Sequence, residues 1–185
     1  MNADADAEPP PALYHFSEEG GIARFEPRAP LERPHIEPMV WAIDEWHAPM
    51  YFVPRDCPRA CFWAGPATSP DDRERFLAGT DARMVVAIES SWLAPLRAAV
   101  LHRYRMPPAT FVLQDRDGGH WVSRQPVVPL AVEPVGDLLA ALAAAGVELR
   151  ITPSLIALWQ RVVRSTLCFS GTRLRNARGW DPTLF

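Results

Sequence analysis

The residues best suited to chemistry stand near the start of the chain, in the segment LYHFSEEGG. His15 and Ser17 come at the end of a short aromatic and apolar run, where a strand would end. A neutral imidazole can donate a hydrogen bond from one ring nitrogen while the backbone holds the other. Further along, the segment VWAIDEWHAPMYF supplies the aromatic residues Trp41 and Tyr51.

Arginines form a second group of interest, because a guanidinium can clamp a phosphate with two hydrogen bonds. The candidates for such a clamp are Arg24, Arg28, Arg55 and Arg59. The segment PRDCPR can either present two guanidinium groups to an anion or pair Asp56 with an arginine in a rigid turn. The C-terminal segment FSGTRLRNARGW leaves a similar choice between contacts to phosphate or RNA and surface ion pairs; its arginines are Arg173, Arg175 and Arg178.

Cysteine and histidine give weaker signals. Cys57, Cys61 and Cys168 are too few for a disulfide framework, which favours a reducing cytoplasm. A zinc site would need four ligands, and no second pair stands at a matching spacing, so we expect buried structural thiols and no metal. The histidines are scattered, and no spacing selects one as the partner of a nucleophilic serine; they are His15, His35, His47, His102 and His120.

Composition is that of a globular protein of 185 residues, 48% hydrophobic and 22% charged. Residues 1–11 are acidic and rich in proline and predict a disordered leader, and residues 12–185 predict a single domain. A net charge of −3 does not favour a nucleic-acid partner, although the local basic run leaves one open. No apolar stretch is long enough to span a membrane.

The predicted elements are short. Strands are expected at residues 12–16, 39–43, 60–64, 82–89, 100–106, 147–151 and 167–174, with a hairpin at 110–123 and an irregular edge strand at 126–135. Helices are expected at residues 44–52, 68–79, 90–99, 136–146 and 152–165. Ser69 is the clearest N-cap, with Pro70 after it. Strands and helices do not alternate regularly, which predicts an α+β domain with a bent, mainly antiparallel sheet and short flanking helices.

The pairing of LYHFS with VWAIDEWHAPMYF resembles the ADP-ribosyltransferase-like fold. The resemblance implies that His15 contacts a ribose hydroxyl of NAD, with Ser17 two residues beyond it. It also implies that Trp41 is the aromatic of the second strand and that Tyr51 lies over the nicotinamide ring. Nearly the whole chain resembles a bacterial family of domains of unknown function, through LYHFSE, PRDCPR, TSPDDRERF and FSGTRLRNA. That second resemblance brings no activity with it.

The leading functional hypothesis is therefore an NAD-using enzyme that transfers ADP-ribose or cleaves the nicotinamide–ribose bond. This reaction passes through an oxocarbenium-like transition state, which a carboxylate stabilises. His15 and Glu133 are the catalytic candidates, and His15, Ser17, Trp41, Tyr51 and Arg55 are the candidates for binding NAD. One alternative is a non-catalytic domain that binds a nucleotide or another small anion. The other is a protein-interaction module whose proline-rich loops form the contact surface.

Overall fold

A computed structural model gives the structure of residues 12–29 and 36–184. The leader predicted for residues 1–11 and the histidine at position 35 lie outside the described residues. The strands are β1 (Leu13–Ser17), β2 (Val40–Asp44), β3 (Arg59–Trp63), β4 (Met84–Glu89), β5 (His102–Met106), β6 (Val112–Asp115), β7 (His120–Ser123), β8 (Ala131–Pro134), β9 (Val147–Thr152) and β10 (Cys168–Thr172). The α-helices are α1 (Pro70–Leu77), α2 (Leu93–Ala98), α3 (Leu138–Ala144) and α4 (Ile156–Val162). The α+β class is therefore confirmed.

The strands form two sheets rather than the single bent sheet that the sequence predicts. The larger sheet has six strands in the order β6-β7-β2-β1-β5-β8, and all of its pairs are antiparallel. The smaller sheet has four strands in the order β10-β3-β4-β9, in which only β4 and β9 run parallel. Every residue of β3 and β4 is buried, which suits the central strands of a sheet covered on both faces.

The main hydrophobic core lies between the two sheets. Ile43 of the six-stranded sheet packs in one cluster with Cys61 and Val86 of the four-stranded sheet. On the far face of the four-stranded sheet, Trp159 of α4 packs against Phe62.

The two central strands of the six-stranded sheet separate part-way along their length. β1 pairs with β5 along all five residues, but with β2 only at Leu13 and Tyr14. Beyond Tyr14 both strands continue without facing each other in the ladder, so a gap opens between them. This gap is the feature of the fold that positions the site.

Three local predictions from the sequence are confirmed: an N-cap, a hairpin and an edge strand. Ser69 caps α1 by accepting a hydrogen bond from the backbone N–H of Asp72 at 3.2 Å. The hairpin predicted at 110–123 is formed by β6 and β7, and the proline-flanked edge strand is β8.

Two predicted helices differ in their bounds from those in the structure. Residues 44–52 form only a 3₁₀ turn at Ala48–Tyr51 with Pro49 at its start, since proline supplies no N–H to an α-helix reaching back to residue 44. The helix expected from residue 152 begins at Ile156 because Thr152 still pairs with Glu89 as the last residue of β9.

Candidate ligand-binding cavity

A cavity of about 740 Å³ lies between the two sheets, at the gap between β1 and β2. We call it the inter-sheet cavity. One wall comes from the six-stranded sheet and includes the end of β1; the other comes from β10 of the four-stranded sheet. Five residues that the sequence nominates line it together: His15, Ser17, Trp41, Tyr51 and Arg55. The sixth nominated residue, Glu133, is not among the lining residues.

His15 fills the gap between β1 and β2 with its ring. Its Nδ1 lies 2.8 Å from the carbonyl oxygen of Trp41, and its ring packs on Phe25 with the centroids 4.7 Å apart. A carbonyl oxygen can only accept, so Nδ1 carries the proton and Nε2 of the neutral ring is an acceptor. Burial lowers the pKa of His15 below its ordinary value, against the opposing effect of the Trp41 hydrogen bond. His15 can therefore accept a hydrogen bond from a ligand hydroxyl, where the sequence analysis expects it to donate one.

Ser17 and Arg55 take part in local backbone contacts at the same end of β1. The Ser17 hydroxyl oxygen accepts a hydrogen bond from the backbone N–H of Glu19 at 3.1 Å. The Glu18 carboxylate accepts one from the backbone N–H of Arg55 at 3.0 Å. The loop after Tyr51 is thus tied to the end of β1, and the Arg55 side chain remains available to a ligand in the cavity.

Tyr51 sits where three elements meet. Its hydroxyl lies 3.0 Å from Nε2 of His120 on β7, and the guanidinium of Arg59 lies 4.9 Å from the centre of its ring. The second ring nitrogen of His120 is 3.2 Å from Oδ2 of Asp115 on β6. Asp115 and His120 also line the inter-sheet cavity. Three side chains that can exchange protons are therefore connected in one chain.

Arg59 is a buried cation without a counter-ion among the residues that the structure describes. It is 2% exposed, and its Nη1 donates to the backbone carbonyl of Cys57 at 3.1 Å. Its Nε has no hydrogen-bond partner among the described residues. Burial lowers its pKa, and the groups whose charges act on it are Tyr51, Cys61, Cys57 and Arg173, none of which is a carboxylate. Because Arg59 lines the cavity, its positive charge lies beside any ligand there.

The two arginine-containing motifs of the sequence meet at one end of the cavity. Nε of Arg173 lies 3.8 Å from Oδ1 of Asp56, and the side-chain amide of Asn176 donates to the carbonyl of Asp56 at 2.7 Å. Asp56 of PRDCPR is thus bridged to the C-terminal segment rather than ion-paired to an arginine of its own loop. Arg173 has a φ of 55°, a left-handed conformation that costs free energy for a residue with a side chain. The fold therefore holds a strained arginine against the cavity.

The structure does not bring Glu133 to His15. In the register of the six-stranded sheet, Phe16 stands opposite Arg103 and Arg103 opposite Glu133. Glu133 therefore lies on the face opposite to His15 and two strands away from β1. Glu133 lies on the outermost strand, β8, where its carboxylate pairs with Arg103. The role of stabilising carboxylate assigned to Glu133 is corrected accordingly, because the physical separation across β5 removes it from the cavity.

The match to a known family covers most of the chain. Residues 14–177 match the model of a family described as being of unknown function, DUF6886. The chain belongs to this DUF6886 family. No curated protein and no solved structure matches the chain. The matched range includes every nominated lining residue and ends one residue after Asn176.

Asp115, His120 and Thr172 also line the cavity of this DUF6886 family member, and the sequence patterns assign them no role there. The hairpin segment QDRDGGH carries a usable signal, since Asp115 and His120 flank a tight turn that returns one towards the other. Nothing local to the sequence connects that pair to Tyr51. Their approach depends on β7 pairing with β2.

Cys57 and Cys61 are buried free thiols, whereas Cys168 is half-buried. Burial raises the pKa of Cys57 and of Cys61 to about 12, so both are protonated at neutral pH. Within residues 12–29 and 36–184, no group of three or more His, Cys, Asp or Glu side chains could hold a metal ion. None of the helices in the same described ranges is long and apolar enough to cross a membrane.

Proposed function

We propose that the inter-sheet cavity binds a phosphate-bearing nucleotide, and that NAD is the nucleotide its residues fit. The observation that carries this proposal is the buried guanidinium of Arg59: the residue lines the cavity, and its Nε has no hydrogen-bond partner among the described residues. A buried charge without a counter-ion costs free energy. A phosphate in the cavity would supply the missing negative charge beside Arg59.

The surroundings of Arg59 favour an anion. Arg55, Arg173 and Arg175 line the same cavity, whereas its lining carboxylates are Glu18 and Asp115. Several arginines around one cavity can bind the two phosphates of a dinucleotide, since each guanidinium offers a planar fork of donors. The arginine segments PRDCPR and FSGTRLRNA thereby form one phosphate-binding end of the cavity.

The remaining lining groups suit a sugar and a planar base. Nε2 of His15 can accept a hydrogen bond from a ribose hydroxyl, and the rings of Trp41 and Tyr51 offer apolar surface to a base. A volume of about 740 Å³ falls in the usual range of small-molecule sites, roughly 300–1,000 Å³. These features support a nucleotide more specifically than a lone phosphate.

The resemblance to the ADP-ribosyltransferase-like fold also supports NAD as the ligand. A bacterial origin and a cytoplasmic location are further parts of this proposal. Turnover of NAD requires a group that stabilises positive charge on the ribose. Glu133 is not placed for this role. Glu18 and Asp115 are the carboxylates that line the cavity and could take it.

The melting temperature of the purified protein tests the proposal. NAD and ADP-ribose at about a hundredfold excess over Kd should raise it by about 5–10 °C, from the usual linkage of binding to stability. Adenosine, which lacks phosphate, should leave it nearly unchanged. The proposal is overturned if neither NAD nor ADP-ribose raises the melting temperature, or if adenosine raises it equally.

A further inference from the structure

We propose that Asp115, His120 and Tyr51 form a proton relay that receives a proton from a water molecule or hydroxyl group in the inter-sheet cavity. This inference rests on the proposed function, because it gives the nucleotide site a catalytic step. Oδ2 of Asp115 is 3.2 Å from Nδ1 of His120, and Nε2 of His120 is 3.0 Å from the Tyr51 hydroxyl. All three residues line the cavity.

The ionised carboxylate of Asp115 sets the hydrogen-bond direction along the relay. Burial opposes ionisation of Asp115, but hydrogen bonds from the Gly118 N–H and from His120 hold the pKa of its carboxyl below the ordinary value. An ionised carboxylate only accepts, so Nδ1 of His120 carries the ring proton and donates a hydrogen bond to Asp115. Nε2 of His120 is then the acceptor, and the Tyr51 hydroxyl donates to it. The relay therefore points from the cavity towards Asp115.

Tyr51 is equipped to lose its proton transiently. Burial raises its pKa, which keeps the phenol protonated at rest, while the nearby Arg59 opposes that rise and a hydrogen bond with Thr172 opposes it further. The Arg59 guanidinium, 4.9 Å from the ring centre, stabilises negative charge that develops on the phenol oxygen. Tyr51 can thus take a proton on its oxygen as it passes its own proton to His120.

The turn between β6 and β7 is built to hold this pair. A Cβ at Gly118 would stand 2.3 Å from Oδ2 of Asp115 and 2.6 Å from Nδ1 of His120. Only a glycine leaves space for the two side chains to meet at that point. The adjacent Gly119 has a φ of 67° and would meet His47 at 2.2 Å if it carried a side chain. The contact between Asp115 and His120 therefore explains Gly118, and the closeness of His47 explains Gly119.

The step is balanced for NAD and water. The oxygen of water attacks C1′ of the ribose, and the C1′–N bond to nicotinamide breaks with its electron pair remaining on nicotinamide. The proton of the attacking water moves to the Tyr51 oxygen, while the Tyr51 proton moves to Nε2 of His120. The imidazolium that forms is stabilised by the Asp115 carboxylate and later returns its proton to solvent. The products are ADP-ribose, nicotinamide and one proton.

Two measurements on the same samples test the relay: the rise in melting temperature caused by NAD, and the rate of nicotinamide release from NAD. Tyr51→Phe keeps the ring beside Arg59 and removes the hydroxyl, and Asp115→Asn removes the carboxylate that orients His120. Both variants should keep the NAD-induced rise. Both should lose nicotinamide release by about 100-fold or more, the usual contribution of a general base, in kcat rather than in KM.

Matched variants separate the relay from a structural role. Asp115→Glu should recover part of kcat, because it restores a carboxylate for Nδ1 of His120. Asp117→Asn, an exposed change in the same turn, should retain the wild-type rate. If Tyr51→Phe does not fold, the exposed Asp115 carries the test through Asp115→Asn and Asp115→Glu.

The outcomes distinguish the two proposals. The relay is overturned, with binding intact, if NAD raises the melting temperature but the wild type releases no nicotinamide above the protein-free rate. It is equally overturned if Tyr51→Phe and Asp115→Asn release nicotinamide at the wild-type rate. If NAD does not raise the melting temperature of the wild type, the nucleotide-binding proposal fails and the relay fails with it.

Discussion

Nδ1 of His15 lies 2.8 Å from the carbonyl oxygen of Trp41, at the point where the backbone ladder between β1 and β2 stops. The imidazole takes over a connection that a backbone N–H makes elsewhere in the sheet. It therefore holds the two strands together across the gap while leaving Nε2 free of that contact. This single side-chain bond links the irregularity of the sheet to the cavity.

The neutral state of His15 predicts a dependence of stability on pH. Its pKa in the folded protein lies below the unfolded value of about 6.5, so the unfolded state binds more protons in the window between the two. The free energy of unfolding should then fall as pH decreases from about 6.5 towards the folded pKa. Above the unfolded pKa it should no longer depend on His15.

Urea unfolding at pH 7.5 and pH 5.5 measures this effect. His15→Ala should remove the His15 share of the pH dependence. It should also lower the free energy of unfolding at pH 7.5 by about 2–3 kcal/mol, because ring packing on Phe25 is lost and the Trp41 carbonyl is left unpaired. An identical pH dependence in wild type and His15→Ala would contradict the argument.

Arg59→Met should separate stability from ligand binding. Removal of a buried, unpaired charge should leave the melting temperature of the ligand-free protein unchanged or higher, since an apolar side chain needs no counter-ion. The same change should weaken NAD binding by about 10-fold or more, from the loss of charge-assisted hydrogen bonds of about 1.5–3 kcal/mol. Calorimetric titration with NAD measures the affinity.

The exposed Arg164 supplies the control, because it lies away from the cavity lining. Arg164→Met should bind NAD as the wild type does. An equal loss of affinity in both variants would indicate a general charge effect and not a contact made by Arg59.

Gly171 should tolerate no side chain. A Cβ there would lie 2.6 Å from both Leu174 and the ring of Trp159, so Gly171→Ala should lower the free energy of unfolding by about 1–3 kcal/mol. Gly21→Ala is the matched control, since nothing lies within 4 Å of its added Cβ. Chemical denaturation of the two variants beside the wild type decides the point; equal stabilities would contradict it.

Glu133→Gln should have little effect on either stability or binding. Its carboxylate pairs with Arg103 at an exposed edge of the sheet, and exposed ion pairs contribute about 0–1 kcal/mol. The NAD-induced rise in melting temperature should equal that of the wild type. A large loss of NAD binding in Glu133→Gln would restore Glu133 to the site and contradict its placement on β8.

Features of the fold that depend on neighbouring residues were predictable from the sequence. Ser69 and Pro70 mark the start of α1, because a cap depends on residues within one helical turn. The prolines around β8 indicate an edge strand, because proline has no backbone N–H to donate to a neighbouring strand. His15 and Trp41 both line the cavity, and their association was expected only from the resemblance of their two segments to a known fold.

The amino-acid sequence sets which residue types are available: an imidazole in β1, aromatic rings in and after β2, and two arginine-rich segments. Tertiary structure alone decided which of them meet. Pairing of β7 with β2 brings His120 to Tyr51, and packing of the two sheets buries Arg59 without a counter-ion among the described residues. Strand order places Glu133 on the edge strand β8, two strands from β1. The physical reason is that these approaches depend on strand order and register between distant segments, whereas local sequence patterns report only interactions between neighbours.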